Sequence, residues 1–157
     1  MRIGHGYDVH RVSDDASRPL MLGLVRVSDG GGLVGHSDAD VVTHAVLDAL
    51  LGASGLGDLG EHFSDRDEQW RGADSALLLA RVRELVHAAG FVATSVDVTV
   101  VAERPRLAGH KSSMATALSA ALGCAVSVKA TTNEGLDAIG RGEAIAAYAV
   151  CLLEEIA

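Results

Sequence analysis

Asp8 and His10 stand two positions apart in the opening run Ile3-Gly4-His5-Gly6-Tyr7-Asp8-Val9-His10, and His44 ends the later segment His36-Ser37-Asp38-Ala39-Asp40-Val41-Val42-Thr43-His44. On a strand, residues i and i+2 point to one face, so Asp8 and His10 can share a ligand. Metal binding by all three requires the two segments to converge on one point. A carboxylate plus two imidazoles makes three N/O donors, the ligand count of a catalytic zinc site with one position left open, whereas closed structural sites use four ligands, often sulfur. Taken singly, His10 reads as a surface residue and His44 as a packed imidazole bonded to Asp40 or Asp48, each four positions away. Taken together, the three read as a metal site, with Asp40 and Asp48 as candidates to orient the His44 ring.

The coarse element pattern accommodates that requirement. Residues 2–10 predict an irregular strand, and Pro19 to Leu22 with Leu24 to Val27 predict short extended pieces. Ser28 to Gly35 holds four glycines among its eight residues and reads as a loop. A helix is expected from Ser37 as N-cap, in an Asp variant of the capping box with Asp40, until Gly52. A Gly- and Asp-rich loop from Gly55 to Asp74 leads to a helix over Ser75 to Ala89, stopped by Gly90. Phe91 to Ala102 alternates as a strand, Leu107 to Leu122 suits a helix, and Val126 to Ala130 suits a short strand. Glu143 to Ile156 is helical by propensity, yet Ile145, Ala147, Ala149 and Cys151 also fit strand alternation.

At 157 residues, without a repeat or linker, one domain spanning 1–157 is expected. Aromatic residues make up only 3%, so packing falls to Val, Leu, Ile and Ala. Twenty-one acidic against 13 basic residues give a net charge of -8, a field that repels nucleic acid but admits a small anion where metals and local cations reverse the sign. Cys124 and Cys151 lack CxxC spacing and read as reduced thiols. No leader precedes Gly4 and no apolar run nears the roughly 20 residues of a membrane span, so no membrane partner and a cytoplasmic location are expected.

Further clusters point toward phosphate and polyol chemistry. His36 and Ser37 stand at a helix start, where free N–H groups favour an anion, though Ser37 equally suits a plain cap. Thr131-Thr132-Asn133-Glu134 follows a strand, and hydroxyls beside a carboxylate suit a phosphate carrying Mg²⁺, though such residues are also common at turns. Arg141 sits between two glycines, as a phosphate cation or a solvated side chain. The carboxylates of the loop Gly57 to Asp67 could bind sugar-like hydroxyls, and this loop lacks the spaced pattern of a calcium site. GxSxG and P-loop signatures are absent from the sequence.

In order along the chain, GHGYDVHR, LVGHSDADVVTHAVLDALLGA, LGDLGEHFSDRD, RGADS, VDVTVVAERPRL, VKATTNEGL and GRGEAIA resemble the 2-C-methyl-D-erythritol 2,4-cyclodiphosphate synthase family of the non-mevalonate isoprenoid pathway. The resemblance implies an α+β fold, a single domain with a mixed β-sheet covered by helices on one face, assembling as a homotrimer with active sites between subunits. It makes the C-terminal run a strand. By position it implies Asp8, His10 and His44 as Zn²⁺ ligands, one ion per subunit, and Glu134 as ligand of a second ion, Mg²⁺ or Mn²⁺. His36, with Ser37, and Thr132 match the groups that act on phosphate at the reacting centre. Asp58 matches the carboxylate that holds the erythritol hydroxyls, with Leu59, Gly60, Phe63, Ser64, Asp65, Arg66 and Asp67 around that pocket. Ala102, Glu103, Arg104, Pro105, Arg106, Leu107 and Ala108 match the cytosine loop, while Thr131, Asn133, Ala138 and Arg141 fall on further substrate positions.

The implied substrate is the cytidine diphosphate compound 4-diphosphocytidyl-2-C-methyl-D-erythritol 2-phosphate, cyclised with release of CMP by a phosphorus–oxygen lyase. Departures from the family pattern are Ser64 in place of a usual proline, Leu24 in place of a common glycine, and Gly135 with Asp137-Ala138 in place of a more basic and aromatic stretch. Two rivals use the same residues: a metal-dependent phosphohydrolase that activates water, and a trimeric nucleotide- or metal-binding module without turnover.

Overall fold

Residues of β1 (Arg2–Arg11) alternate between two environments, with Gly4 and Gly6 buried and Ile3, His5 and Tyr7 exposed. The computed structural model describes residues 1–156. A small hairpin of β2 (Leu20–Leu22) and β3 (Val25–Ser28) follows, then α1 (Val41–Ser54), the short α2 (Leu59–His62), a 3₁₀ turn at Glu68–Trp70 and α3 (Ser75–Ala88). The chain continues through β4 (Phe91–Val101), α4 (Lys111–Leu122), β5 (Ala125–Thr131), the short α5 (Asp137–Gly140) and β6 (Ala144–Glu155). The main sheet has the order β1-β6-β4-β5. Its β1–β6 and β6–β4 pairs are antiparallel and its β4–β5 pair is parallel, so the sheet is mixed.

Helix α1 is apolar almost all round and is buried accordingly, packed on β1 and β6 on one side and on α3 on the other. The contact with β1 is unusually close because two glycines lie under two alanines. A Cβ placed on Gly4 would sit 2.0 Å from the Ala49 carbonyl oxygen, and one on Gly6 would sit 1.9 Å from that of Ala45. Opposite these glycines, β6 contributes Cys151 and Ala149, and Ala147 faces Asp8. The floor beneath α1 is thus built from very small residues, and the expected α+β domain with a mixed sheet and helices on one face is what the chain forms.

The C-terminal segment is a strand despite its helical propensity. Ile145, Ala147, Ala149, Cys151 and Leu153 all face the core on β6, so burial against α1 overrides the local preference of alanine. Other boundaries differ from expectation. Ser37 does not cap α1. Ala39 takes a left-handed turn (φ 56°), which delays the helix, and Asp40 becomes the N-cap. The Asp40 carboxylate is fully buried and accepts from Gly23 N, Leu24 N, Thr43 N and Thr43 Oγ1. It ties the hairpin to the helix start. Leu24, where the resembled family commonly has glycine, takes φ 64°.

Gly52 does not stop α1, which ends one turn later at the left-handed Gly55. The loop over 55–74 contains α2 and the 3₁₀ turn, each capped by an aspartate, Asp58 and Asp67. The helix expected from Leu107 begins only at Lys111, after a turn in which His110 N bonds Leu107 O.

Gly6→Ala is expected to destabilise the fold by about 3 kcal/mol or more, since the obstacle is backbone rather than a movable side chain. Gly52→Ala meets open space on the same helix and should instead gain up to about 1 kcal/mol. Urea unfolding midpoints of the two variants check both signs.

Candidate metal centre and phosphate-binding cavity

Because even-numbered residues of β1 face α1, the face that holds Gly4 and Gly6 continues into Asp8 and His10. His44, next to Ala45 in the first turns of α1, meets them there. Asp8 Oδ2 lies 2.9 Å from His10 Nε2 and 3.1 Å from His44 Nδ1, and the two ring nitrogens are 3.3 Å apart. One donor atom from each residue thus faces a common point.

The outer nitrogens of both rings are occupied. His10 Nδ1 donates to Val34 O at 2.7 Å, which leaves the Nε2 lone pair for the cluster. His44 Nε2 lies 3.2 Å from Ser75 Oγ and 3.3 Å from Ser37 Oγ. Neither Asp40 nor Asp48 touches the His44 ring: Asp40 serves as cap and Asp48 accepts from Leu59 N at 2.7 Å. Ser37 and Ser75 stand in the place expected of those two aspartates.

Burial by itself would push the Asp8 carboxyl up, yet hydrogen bonds and charge from His10 and His44 outweigh it and hold the group well below the usual carboxylate range. For His10, burial lowers the pKa, but the Asp8 bond and charge with the Val34 carbonyl raise it above the ordinary histidine value. The cluster therefore attracts positive charge strongly, as a proton on His10 or as a cation among all three donors. Two imidazoles and a carboxylate, each presenting a lone pair, fit a divalent ion of the zinc type.

The cluster forms one wall of a cavity of about 790 Å³, which Val34, Gly35, His36, Ser37, Leu59, Gly60, Phe63, Asp65, Trp70, Arg71 and Leu78 also line. His36 is anchored by Nε2 donating to Asp67 O at 3.1 Å. Trp70 packs edge-on against Phe63 with ring centroids 4.9 Å apart. Sequence reasoning did not single out Trp70, Arg71 and Leu78, although Arg71 opens the RGADS motif. Asp58, at the α2 cap, is exposed beside this wall, with Oδ1 holding Glu61 N. Ser64, Arg66 and Asp67 belong to the same loop without lining the cavity.

A second cavity, of about 430 Å³, is lined by Ala102, Glu103, Pro105, Arg106, Leu107, Ala108, Lys111, Ala130, Thr131 and Thr132. Lys111 is a cation there that sequence reasoning passed over. Glu103 Oε1 accepts from Asn133 N at 2.9 Å and Gly135 N at 3.3 Å, so one carboxylate holds the turn after β5 against the loop after β4. Thr132 Oγ1 donates to Glu134 Oε1 at 3.2 Å, and Glu134 is exposed with φ 51°. Arg104 points to a different surface, near Gly142, while Arg141 pairs with Glu143 and Ala138 lies on α5. Among the described residues, none lines both the first and the second cavity.

A more apolar cavity of about 490 Å³ beside α3 and β4 holds no such donor cluster.

Known proteins are similar to this chain in sequence and in fold. The YgbB family matches residues 1–154. The 2-C-methyl-D-erythritol 2,4-cyclodiphosphate synthase of Salinibacter ruber is 55% identical over 98% of this chain and 99% of its own length. That of Thermosynechococcus vestitus is 52% identical over 98% and 96%. Among solved structures, the bifunctional IspDF from Campylobacter jejuni superposes with a TM-score of 0.94 at 37% identity over 99% of this chain, which spans 42% of that longer protein. A CDP complex of IspF from Plasmodium falciparum gives 0.84 at 31% identity, over 99% of this chain and 97% of that one. On this near full-length agreement in sequence and fold, the chain belongs to the YgbB family, that of the 2-C-methyl-D-erythritol 2,4-cyclodiphosphate synthases.

Proposed function

We propose that this chain converts 4-diphosphocytidyl-2-C-methyl-D-erythritol 2-phosphate to 2-C-methyl-D-erythritol 2,4-cyclodiphosphate and CMP. The observation that carries this reading is the convergence of Asp8 Oδ2, His10 Nε2 and His44 Nδ1 on the wall of a cavity that His36 and Ser37 also line. In the reaction an oxygen of the 2-phosphate attacks the β-phosphorus. The bond from that phosphorus to the bridging oxygen breaks, and CMP leaves with the electron pair. A phosphate monoester has its second pKa at about 6, so the nucleophile is already largely ionised at neutral pH and needs no side-chain base. The remaining obstacles are repulsion between anions and the entropy of ring closure.

Asp8, His10 and His44 would hold Zn²⁺, and Glu134 would hold a second ion, Mg²⁺ or Mn²⁺, by its exposed carboxylate beside Thr132. Such ions supply Lewis-acid polarisation of phosphate oxygens and neutralise their charge. The protein does the rest by positioning. The Ser37 oxygen accepts from Ala39 N and faces His44 Nε2, leaving its own O–H for a phosphate. His36, fixed by Asp67 O, offers its ring at the same wall. Asp58, whose Oδ1 caps α2, has Oδ2 available for the erythritol hydroxyls, with Leu59, Gly60, Phe63 and Asp65 nearby. Residues 102–108 would take the cytosine, and Thr132 would steady the departing phosphate. Holding both ends of one substrate can contribute roughly 7–11 kcal/mol toward ring closure.

The assembly belongs to the same reading. The polyol and cytosine cavities share no lining residue, which supports a site completed by a neighbouring copy in a homotrimer. The uncovered sheet face supports it too, since it exposes Ile3, Tyr7, Val9, Tyr148 and Val150 side by side on β1 and β6. A cytoplasmic location agrees with free Cys124 and Cys151, the latter thiol pushed up to about 11 by burial and therefore inert. No described helix is long and apolar enough to cross a membrane.

Purified protein given the cytidylated 2-phosphate with zinc and magnesium should release CMP and a cyclic diphosphate, resolved by chromatography. A linear monophosphate would instead make the chain a hydrolase, and binding of CDP without CMP release would make it a binding module. In the same assay His44→Ala should lose both turnover and bound zinc.

Zinc affinity should also depend on pH with a definite sign. His10, with its raised pKa, contributes to stability of the metal-free fold below the unfolded pKa, and that contribution fades as pH rises through the folded pKa. The proton and the metal compete for Nε2, so zinc affinity should fall about tenfold per pH unit below the His10 pKa. Competition titrations with a chromophoric chelator across about pH 5–8 read this directly. Val150→Asp, on the exposed face of β6 between His5 and Asp97, should convert a species of three chains to monomer by light scattering and abolish turnover together with assembly.

A further inference from the structure

Ser75 is the first residue of α3, fully buried, and its hydroxyl lies between two groups from the loop and helix before it. Asp38 Oδ1 is 2.6 Å from Ser75 Oγ, Asp38 Oδ2 is 2.8 Å from Ser75 N, and His44 Nε2 is 3.2 Å from Ser75 Oγ. We propose that Asp38 and Ser75 are positioning residues that fix the His44 tautomer and hold Nδ1 toward the metal. This rests on the metal reading above and extends it to residues that touch neither metal nor substrate.

The proton count decides the direction. A serine hydroxyl has one proton to give, and a carboxylate can only accept. The short contact to Asp38 therefore takes the Ser75 proton. The Ser75 oxygen is left with lone pairs, so it can meet His44 Nε2 only if that nitrogen carries hydrogen. A neutral imidazole with hydrogen on Nε2 has its free lone pair on Nδ1, the atom that faces Asp8 and His10. Without Asp38, the Ser75 hydroxyl is free to turn toward Nε2, favouring the tautomer that carries hydrogen on Nδ1 and blocks the metal position. The Ser37 oxygen, already accepting from Ala39 N, can share the Nε2 hydrogen but lacks a carboxylate to fix its own.

Geometry reinforces the tautomer. Asp38 also accepts from Asp40 N, and Asp38 N donates to Ala73 O, so the strut joins the start of α1 to the start of α3. Any outward swing of the His44 ring would have to break the bond to a side chain that cannot follow it.

The test measures metal affinity of the full-length protein by chelator competition, alongside urea unfolding of the metal-free form and the visible absorption of the cobalt-substituted form. Ser75→Ala should bind zinc about 10–100-fold more weakly than wild type, with its metal-free unfolding midpoint little changed. Ser75→Thr keeps the hydroxyl and should recover most of the affinity. Asp38→Asn, which keeps the shape but weakens the acceptor, should lose affinity and alter the cobalt spectrum. Unchanged affinity in Ser75→Ala overturns the proposal, as does an equal loss in Ser75→Ala and Ser75→Thr, which would assign the effect to packing. Should Ser75→Ala fail to fold, Asp38→Asn decides by the same criteria. Wild-type protein that binds no zinc removes the metal reading itself, an outcome distinct from a strong wild-type site indifferent to residue 75.

Discussion

Close contact between the backbones of β1 and α1 is the constraint on which the site depends. Gly4 and Gly6 let the Ala49 and Ala45 carbonyls come to where a side chain would stand. One residue pair further along β1, the same face presents Asp8 and His10, and one residue before Ala45 the helix presents His44. Had β1 carried ordinary side chains at positions 4 and 6, the helix would sit farther off the sheet and His44 would not reach Asp8. The glycines are thus metal-site residues at one remove. Ala147, Ala149 and Cys151 of β6 continue the low floor, which explains why a run with helical propensity is used as a strand.

A second constraint is electrostatic. A buried carboxylate facing two imidazoles is costly unless positive charge lies among them. The depressed Asp8 and raised His10 pKa values show the cluster drawing in a proton for that purpose. A divalent cation would meet the same demand with more charge, and Val34 O already fixes the outer nitrogen of the His10 ring. With a cation held by the three donors, the net charge of -8 would be no obstacle to the anionic substrate proposed above.

Much of this was legible in the sequence, for identifiable reasons. The D-x-H spacing on a strand, and the capped helix behind it, are local patterns with fixed periodicity, so the triad and most elements followed from residues alone. What escaped was decided by tertiary contacts. Ser37 was expected to cap α1, yet the left-handed turn at Ala39 moved that task to Asp40, whose carboxylate meets donors from a hairpin some 16 residues earlier. Asp40 and Asp48 were expected to hold His44 because they lie four positions away on a helix. Each instead serves a backbone N–H, and the imidazole is held by Ser75, 31 residues on. No periodicity links those two positions. The weak signal was the RGADS motif, whose serine has no local task, since Asp74 already caps α3.

The two cavities of one chain also explain why the family pattern is spread so evenly over the sequence. The first cavity draws on β1, the loop before α1, and the segment from α2 to the start of α3, while the second draws on the ends of β4 and β5 and the loop after β4. Glu103 links the two loops of the second cavity to each other through Asn133 N and Gly135 N, not to the metal centre. In the homotrimer proposed above, a neighbouring copy docked on the exposed apolar face of β1 and β6 would bring its second cavity to the first cavity of this chain, and the substrate would bridge the two. On that view assembly is part of catalysis, because it fixes the distance over which the two ends of one substrate must be held.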